Sequence, residues 1–446
     1  MNTEVKSKII IILLLTSVFM VFFKLDPLRT YNNDKCAEQT FAKIPEDFNR
    51  ESESFVVGSI VEAHHFGFTS GIGRLARLCV ENPEHWFYNV QITYKSYIEN
   101  KYYDEYQIER YTSQIGGQGL FYRVIDSLIY KSLGGEASLL AMQYLNIFLL
   151  GLTLAIISYY LLVTFNIYAM IGFMFGIVWN QWIPLSSTNL YWVTWSLFLP
   201  MAISCMIVLN NKKRKYFLPL LFISVFFKSS SGYEFISTTL VAMMIPLLGY
   251  EIMNFKNLKE SFINLLIPSI IGVTAFISTL VLHVLRYVSS GTNLHDAIKM
   301  MQFIVVKRTH GSLSSIGFQS EILEEILKEP VGSVLMRYIN ATTVNIPLGN
   351  SFFEVKVWMF LIVIIIGYIY GFILFKKDKN NKKLITLLVI SIVSSLAPLS
   401  WYVLAKAHSA AHPFVNTILW YVPYIPLSIA YIAYLISLTK PKTLVE

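Results

Sequence analysis

Three short polar stretches interrupt a strongly apolar chain, and each carries side chains able to bind an anion. The first, KSSSGYEF (228–235), places Lys228, Tyr233 and Glu234 ahead of an apolar run. Serines and a glycine opening a helix leave backbone N–H groups unpaired, and with a nearby lysine these favour a lipid phosphate. A lysine reaching toward the membrane surface and an ordinary N-cap, with Glu234 in the first turn, explain the same residues equally well.

The second polar stretch, VVKRTHGSLSS (305–315), holds Lys307, Arg308 and His310 within four residues. Arginine can bind a phosphate through two parallel hydrogen bonds, and lysine adds a point charge. Runs of cations are also typical of a solvated face without a ligand, so both interpretations stay open.

The third polar stretch, SWYVLAKAHSAAHPFVNTILWY (400–421), contains Lys406, His408 and His412 between two apolar runs. The histidines are four residues apart, so a helix would place both on one face, and Pro413 favours a helix end at His412. Lys406 with imidazole donors would suit a phosphate, whereas hydrated histidines at a helix end need no ligand. We expect this stretch at the outer rim of the membrane, where water reaches it and burial costs nothing.

A metal site is a second interpretation of the same histidines. Two imidazoles need further ligands from other loops, for which Glu62, His64 and His65 are available. No spacing ties these residues together, so a divalent metal is left open as a cofactor and no metal ligand is assigned.

Several acids near predicted membrane rims could accept a proton from a hydroxyl group. Their spacing does not rank them, and Asp126 is a further acid of this kind. The catalytic candidates are Asp26, Asp34, Glu62 and Glu234.

Cys36 and Cys79 both fall in the first long loop, and Cys205 falls inside an apolar run. An oxidising compartment would allow a Cys36–Cys79 disulfide, but two thiols that never meet fit the sequence as well.

The elements that must position these residues are membrane helices. Hydrophobic residues make up 54% of the 446 residues, and the mean hydropathy is +0.52. Apolar runs of about 20 residues recur, which is the length that crosses a bilayer. The net charge of +8 does not indicate nucleic-acid binding, because the lysines sit in short clusters between apolar runs, as orientation signals do.

The prediction is an all-α polytopic membrane protein with about ten transmembrane helices and two long extracytoplasmic loops. Lysine-rich loops alternate with the predicted spans and place both termini in the cytoplasm. Spans 167–184 and 216–227 are marginal, and the second contains Pro219, so it could be a broken or re-entrant helix. The predicted spans are 9–25, 137–162, 167–184, 190–209, 216–227, 233–252, 262–286, 356–375, 384–404 and 416–438.

This topology divides the chain into five parts and gathers most other polar residues on the outer face. The parts are an anchor (1–25), an extracytoplasmic loop module (26–136), transmembrane helices two to seven (137–286), a second extracytoplasmic loop (287–355) and the last three helices with an outer loop at 405–415 (356–446).

Helices are also predicted within the two long loops. A connection as long as 26–136 indicates a folded module, with one helix over 54–67. A second, amphipathic helix suits either the membrane interface or the core of that module. In the second loop, a helix broken at Pro330 is predicted. The apolar face of the amphipathic helix contains Leu120, Val124, Ile125, Leu128 and Ile129.

Three stretches carry a resemblance to a known class of enzymes: YTSQIGGQGLFY (111–122), which includes Gln114, FFKSSSGYEF (226–235) and the 400–421 stretch. With the first helix followed by a long outer loop, the chain resembles the GT-C type membrane glycosyltransferases, and among them the bacterial serotype-converting glucosyltransferases of O-antigen.

The resemblance implies transfer of a sugar, a hexose such as glucose, from a polyprenyl-phosphate donor to O-antigen or another surface glycan. It implies the bacterial inner membrane as the location, with the active face outside. GT-C enzymes usually have an essential acid in the first loop, where Asp26 and Asp34 stand, although their usual paired-acid motif is absent. Gln114, Lys228, Tyr233, Arg308, His310, Lys406, His408 and His412 would then bind substrate or its phosphate.

Two other functions remain open from the sequence. An O-antigen polymerase also acts on polyprenyl-linked glycans at the outer face. A flippase for lipid-linked glycans would show charged residues at mid-span and an internal repeat, and the sequence has neither beyond His283 and Arg286 near one helix end.

Overall fold

The computed structural model describes residues 3–25, 46–81, 87–314, 317, 320–348, 351–412 and 415–439. Asp26, Asp34 and Cys36 lie outside the described residues, so the roles predicted for them stay predictions. Helices dominate, and β1 pairs with β2 and β3 with β4 in two small antiparallel sheets. The elements in chain order are α1 (Thr3–Leu25), α2 (Glu46–Phe66), β1 (Leu75–Cys79), α3 (Tyr88–Glu99), β2 (Gln107–Tyr111), α4 (Gly117–Leu133), α5 (Gly135–Thr164), α6 (Ile167–Val178), α7 (Trp182–Ser187), α8 (Trp195–Leu209), α9 (Arg214–Ser230), α10 (Ile236–Met253), α11 (Leu258–Ser289), α12 (Leu294–Val306), α13 (Glu321–Lys328), α14 (Val331–Ile339), β3 (Thr342–Leu348), β4 (Ser351–Lys356), α15 (Val357–Lys377), α16 (Lys382–Ser394), α17 (Leu396–Leu404), α18 (Lys406–Ala411) and α19 (Tyr424–Thr439).

Seven helical segments in the described part of the chain are long and apolar enough to cross a membrane. Their outward faces are apolar, and a surface of this size and kind would be unfavourable in water but not in lipid. On α11, for example, Ile270, Ile277 and Leu285 are all exposed. The fold is therefore that of an all-α, multi-pass membrane protein. The seven segments are Val5–Leu25, Gly135–Thr164, Ile236–Met253, Leu258–Ser289, Val357–Lys377, Lys382–Leu404 and Val415–Thr439.

Three of the ten predicted spans form helices shorter than the roughly 20 residues that usually cross a bilayer. The 167–184 run splits into α6 and α7, because Asn180 Oδ1 accepts from the backbone N–H groups of Trp182 (2.9 Å) and Ile183 (2.8 Å) and caps a new helix. The helix expected over 190–209 begins only at Trp195 and has 15 residues. At 1.5 Å per residue it covers about 22 Å, against about 30 Å of hydrocarbon. The third, α9, has 17 residues with Pro219 inside.

The segment between α1 and α5 contains α2, α3, α4 and the sheet of β1 and β2. The helix expected over 54–67 is found in α2, and the amphipathic helix is α4. Its polar residues Arg123 and Asp126 are buried, while Val124 is exposed and Leu128 is 73% exposed. Val124 and Leu128 on the outward side favour a membrane-interface helix, while Ile125 and Ile129 of the same face are half-buried against the core.

The segment between α11 and α15 contains α12, α13, α14 and the strands β3 and β4. The break predicted at Pro330 is confirmed, because α13 ends at Lys328 and α14 begins at Val331 with Pro330 at its N-cap. Two backbone hydrogen bonds join this segment to α18: Ala407 N donates to Thr309 O (3.2 Å) and His408 N to Arg308 O (3.0 Å). The second and third polar stretches of the sequence therefore lie side by side.

Candidate functional site

A buried ion pair occupies the centre of the region where the polar stretches meet. Arg308 Nη2 lies 2.9 Å from Glu234 Oε1, and both side chains are at most one tenth exposed. Burial is the largest effect on Glu234 and raises its pKa, but the neighbouring charges, of which Arg308 is the strongest, and the hydrogen bond from Arg308 together lower it by more, so the pKa stays below the ordinary value. Burial is also the largest effect on Arg308 and lowers its pKa, but the charge and hydrogen bond of Glu234 together with Tyr111 and Tyr191 raise it by more, so the pKa lies above the ordinary value. Both groups are therefore ionised at neutral pH.

The turn between α9 and α10 presents Glu234 to this partner. Phe235 adopts φ +67° and Gly232 adopts φ +150°, a region that L side chains rarely enter. A Cβ on Gly232 would also overlap Glu234 Oε2 and lie 2.8 Å from Gln114 Oε1. Only glycine therefore fits where Gln114 and Glu234 approach the backbone.

Lys228 lies on the other side of this turn. It is buried, and its Nζ donates to Gly232 O at 3.0 Å, so the lysine closes the loop on which Glu234 stands. The hydroxyl of the neighbouring Ser231 is buried and has no partner among the described residues. Lys228 and Glu234 thus add opposite charges to one small volume.

Gln114 is fully buried beside Gly232, and neither its amide nitrogen nor its amide oxygen has a partner in the described part of the chain. A buried polar group without a partner costs about 1–3 kcal/mol, so such a group calls for a polar ligand or water. The backbone around Gln114 is held firmly. Arg286 Nη1 donates to Gln114 O (2.8 Å), and Tyr287 OH donates to Thr112 O (2.7 Å).

The rings of His408 and His412 lie beside the ion pair with their centroids 4.7 Å apart and their planes tilted by 46°. Burial lowers the pKa of His408 well below its ordinary value and also lowers the pKa of His412. Asn416 Nδ2 donates to His408 Nδ1 at 3.4 Å. The pair therefore offers neutral hydrogen-bonding rings, not cations.

The expectation that water reaches Lys406 and His408 at an outer rim is wrong, since each is only 8% exposed. Lys406 also points away from the ion pair. Its Nζ donates to Leu327 O at 2.6 Å, near the end of α13, where a cation suits the helix carbonyls.

Other predicted site residues have partners outside this cluster. His310 is exposed and bonds through Nε2 to Val403 O at 2.6 Å, and Tyr233 OH bonds to His283 Nδ1 at 2.8 Å. Glu62 lies in the segment between α1 and α5, where its carboxylate accepts from Arg110 (2.7 Å) and contacts Arg123 (3.5 Å). The part predicted for Glu62 as a catalytic base stays a prediction.

A small cavity lies against the cluster. Its volume is about 40 Å³, and Lys228, Ser231 and Glu234 form its polar side. Tyr191, Trp192 and Phe235 form much of its aromatic side. At roughly 10–15 Å³ per water, the cavity holds a few water molecules or one small polar group.

The cysteine and metal predictions receive little further evidence. Cys79 forms no disulfide with another described residue, its Sγ donates to Gln107 O at 3.6 Å, and its predicted partner lies outside the described residues. Within the described ranges, no group of three or more histidine, cysteine, aspartate or glutamate side chains could hold a metal ion.

Glu53 is a buried acid that the sequence did not single out. It lies 5% exposed in α2 and accepts a 2.7 Å hydrogen bond from Tyr94 OH. The run RESES (50–54) around Glu53 is typical of the solvated start of a helix. Glu53 is buried because α2 packs against the 188–190 segment.

Comparison with known proteins gives no assignment, because no protein-family model, curated protein or solved structure matches the chain.

Proposed function

We propose that the chain is an integral membrane glycosyltransferase that moves a hexose from a polyprenyl-phosphate donor to a surface glycan. The observation that carries this proposal is the buried cluster of Arg308, Lys228 and Glu234 with the unpaired amide of Gln114 beside it. Charged groups kept this close inside an apolar protein are a functional site by default.

The charges of the cluster favour an anionic ligand. Lys228, Lys307 and Arg308 supply three positive charges against the single negative charge of Glu234, an excess of two. Burial lowers the pKa of Lys307 to about 8, so it is still largely protonated at pH 7. A phosphate group would balance this excess, and Arg308 could bind it through its planar guanidinium.

In the reaction, an acceptor hydroxyl attacks the anomeric carbon of the donor sugar. The bond between that carbon and the phosphate oxygen breaks, and the phosphate leaves with the electron pair. The cations stabilise this charge as it develops, which lowers the barrier. The hydroxyl proton passes to a carboxylate of the first outer loop, for which Asp26 and Asp34 remain the candidates. His408 and Gln114 supply neutral hydrogen bonds to the sugar or phosphate oxygens.

The membrane setting supports a lipid-linked donor. The helices α4 and α11 have exposed apolar faces suited to contact with lipid. A polyprenyl tail can therefore stay in the lipid while its head group is bound at the cluster. We place the reaction on the extracytoplasmic face of a bacterial inner membrane, with O-antigen as the acceptor. The lysine-rich loops facing the cytoplasm are the basis for this orientation.

The experiment is complementation of a strain that lacks this chain, read by mass spectrometry of its surface polysaccharide. The wild-type chain should restore a hexose branch. Arg308→Lys keeps a positive charge opposite Glu234 but loses the forked guanidinium, so decoration should fall at least about tenfold. Arg110→Lys is the matched control, because Arg110 also pairs with a buried glutamate, Glu62, away from the cluster.

Full decoration by Arg308→Lys at wild-type protein level would contradict the proposal. A deletion strain whose surface glycan consists of single repeats, not long undecorated chains, would point instead to a polymerase.

A further inference from the structure

A second, larger cavity lies on the loop-module side of the bundle and has no part in the cluster described above. Its volume is about 890 Å³, and it is half open to the outside. It is bounded by the end of α1 at Phe23 and Lys24, by α2 and α3, and by the first turns of α5. A cavity of this size is typical of a site for a ligand of several rings.

Glu53 is a buried polar group of this cavity. Its carboxylate accepts hydrogen bonds from Tyr94 OH (2.7 Å), from Leu190 N (3.0 Å) and from Gln143 Nε2, which lies 3.1 Å from Oε2 and 3.4 Å from Oε1. A ligand hydroxyl would replace the longer contact of the shared Gln143 amide. Burial raises the pKa of Glu53, and these hydrogen bonds oppose that effect without cancelling it.

The charges around the cavity do not favour an anion. The lining contains three basic and three acidic side chains, namely Lys24, Arg50 and Lys95 and Glu53, Glu99 and Glu136. Phe87 and Tyr94 add aromatic surface next to these polar groups. An uncharged ligand with many hydroxyls and some apolar faces, namely a carbohydrate, matches such a lining better than a phosphate does.

The two cavities meet at Leu185, which lines both of them. Glu53 holds the backbone at Leu190, and the next two residues, Tyr191 and Trp192, line the small cavity. A ligand in the large cavity would therefore lie next to a donor head group bound at the cluster, as a two-substrate transfer requires.

We propose that the large cavity binds the glycan acceptor, with Glu53 hydrogen-bonded to one of its hydroxyls. This inference rests on the proposed glycosyltransferase function and adds the place where its second substrate binds. Glu53 acts in it as an acceptor-binding residue.

The test is steady-state kinetics of the purified full chain in nanodiscs. The donor is polyprenyl-phosphate-glucose, and the acceptor is lipid-linked O-polysaccharide. Glu53→Gln and Tyr94→Phe should each raise the acceptor KM about tenfold, the loss expected for one buried hydrogen bond, and leave the donor KM within about twofold.

Gln91→Trp, which narrows the cavity from an exposed position on its wall, should raise the acceptor KM without lowering the unfolding temperature. Glu260→Gln, in an exposed surface ion pair, is the control.

The two proposals fail in different ways. If the wild-type chain transfers glucose but the Glu53 and Gln91 variants change only kcat, only the donor KM or only the unfolding temperature, the acceptor site is wrong and the transferase stands. If the wild-type chain transfers no sugar, the proposed function is wrong and the acceptor site is withdrawn with it.

Discussion

At the scale of single residues, the Glu234–Arg308 pair shows how charges persist inside an apolar bundle. The charge of each residue offsets most of the electrostatic cost of burying the other. The buried ammonium group of Lys228 is stabilised by its hydrogen bond to the backbone carbonyl of Gly232. A buried pair of this kind contributes little net stability compared with apolar residues, but removing one member leaves a buried charge uncompensated.

Glu234→Ala should therefore destabilise the protein by about 3–5 kcal/mol, because Arg308 would remain buried and charged. The measurement is the unfolding midpoint in detergent. The double variant Glu234→Leu, Arg308→Met should recover most of the loss. If Glu234→Ala unfolds like the wild type, Arg308 reaches water and the buried cluster is wrong.

The neutral state of His408 predicts a pH dependence of stability. Its pKa in the folded protein lies well below 6.5, and in the unfolded chain it lies near 6.5, so the unfolded state binds more protons below that pH. Stability should fall as the pH drops from 6.5, by up to about 1.4 kcal/mol per pH unit for this histidine.

Unfolding midpoints between pH 7.5 and 5.5 measure this effect. His408→Gln should flatten the slope, and His295→Gln, at an exposed position, should not. An unchanged slope in His408→Gln would show that water and protons reach the ring.

The residues of the cluster could be predicted in part. The sequence places Lys228, Glu234, Arg308 and His408 in three polar stretches, and the structure brings these four together. Lys406 and His310 stand in the same stretches but turn to carbonyl groups elsewhere. Spacing along the chain does not determine which way a side chain points once a short helix such as α18 packs against its neighbours.

At the scale of elements, helix lengths could be predicted where one apolar run forms one helix. Runs such as 137–162 and 262–286 correspond to α5 and α11, extended by a few residues at each end. The 167–184 run misleads because Asn180, a polar residue in an apolar setting, ends one helix and caps the next. Average hydropathy does not detect a helix break of this kind.

The outward apolar face of α4 predicts contact with lipid. In a chain with its native cysteines replaced by serine, a fluorophore at Leu128→Cys should be quenched by brominated lipids. A fluorophore at Glu109→Cys, on the exposed strand β2 of the same module, should be quenched by aqueous iodide instead. Equal aqueous quenching at both positions would place α4 in water.

At the scale of the whole molecule, the fold places two cavities of different character against the same short segment, 182–192. The small cavity adjoins the cluster that carries an excess of positive charge, and the large cavity has balanced charges and aromatic surface. The class of the protein follows from hydropathy alone. The large cavity could not be foreseen, because it depends on how α2 and α3 pack against the start of α5, a set of contacts far apart in sequence.

The central claim is that the Arg308 cluster binds the leaving phosphate of a lipid-linked sugar. The most direct measurement is the rate of glucose transfer from polyprenyl-phosphate-glucose by the purified chain, compared between wild type, Arg308→Lys and Arg110→Lys. The account predicts transfer by the wild type and by Arg110→Lys, with kcat at least about tenfold lower in Arg308→Lys at an unchanged unfolding temperature. Equal rates in all three proteins, or no transfer by the wild type, would contradict it.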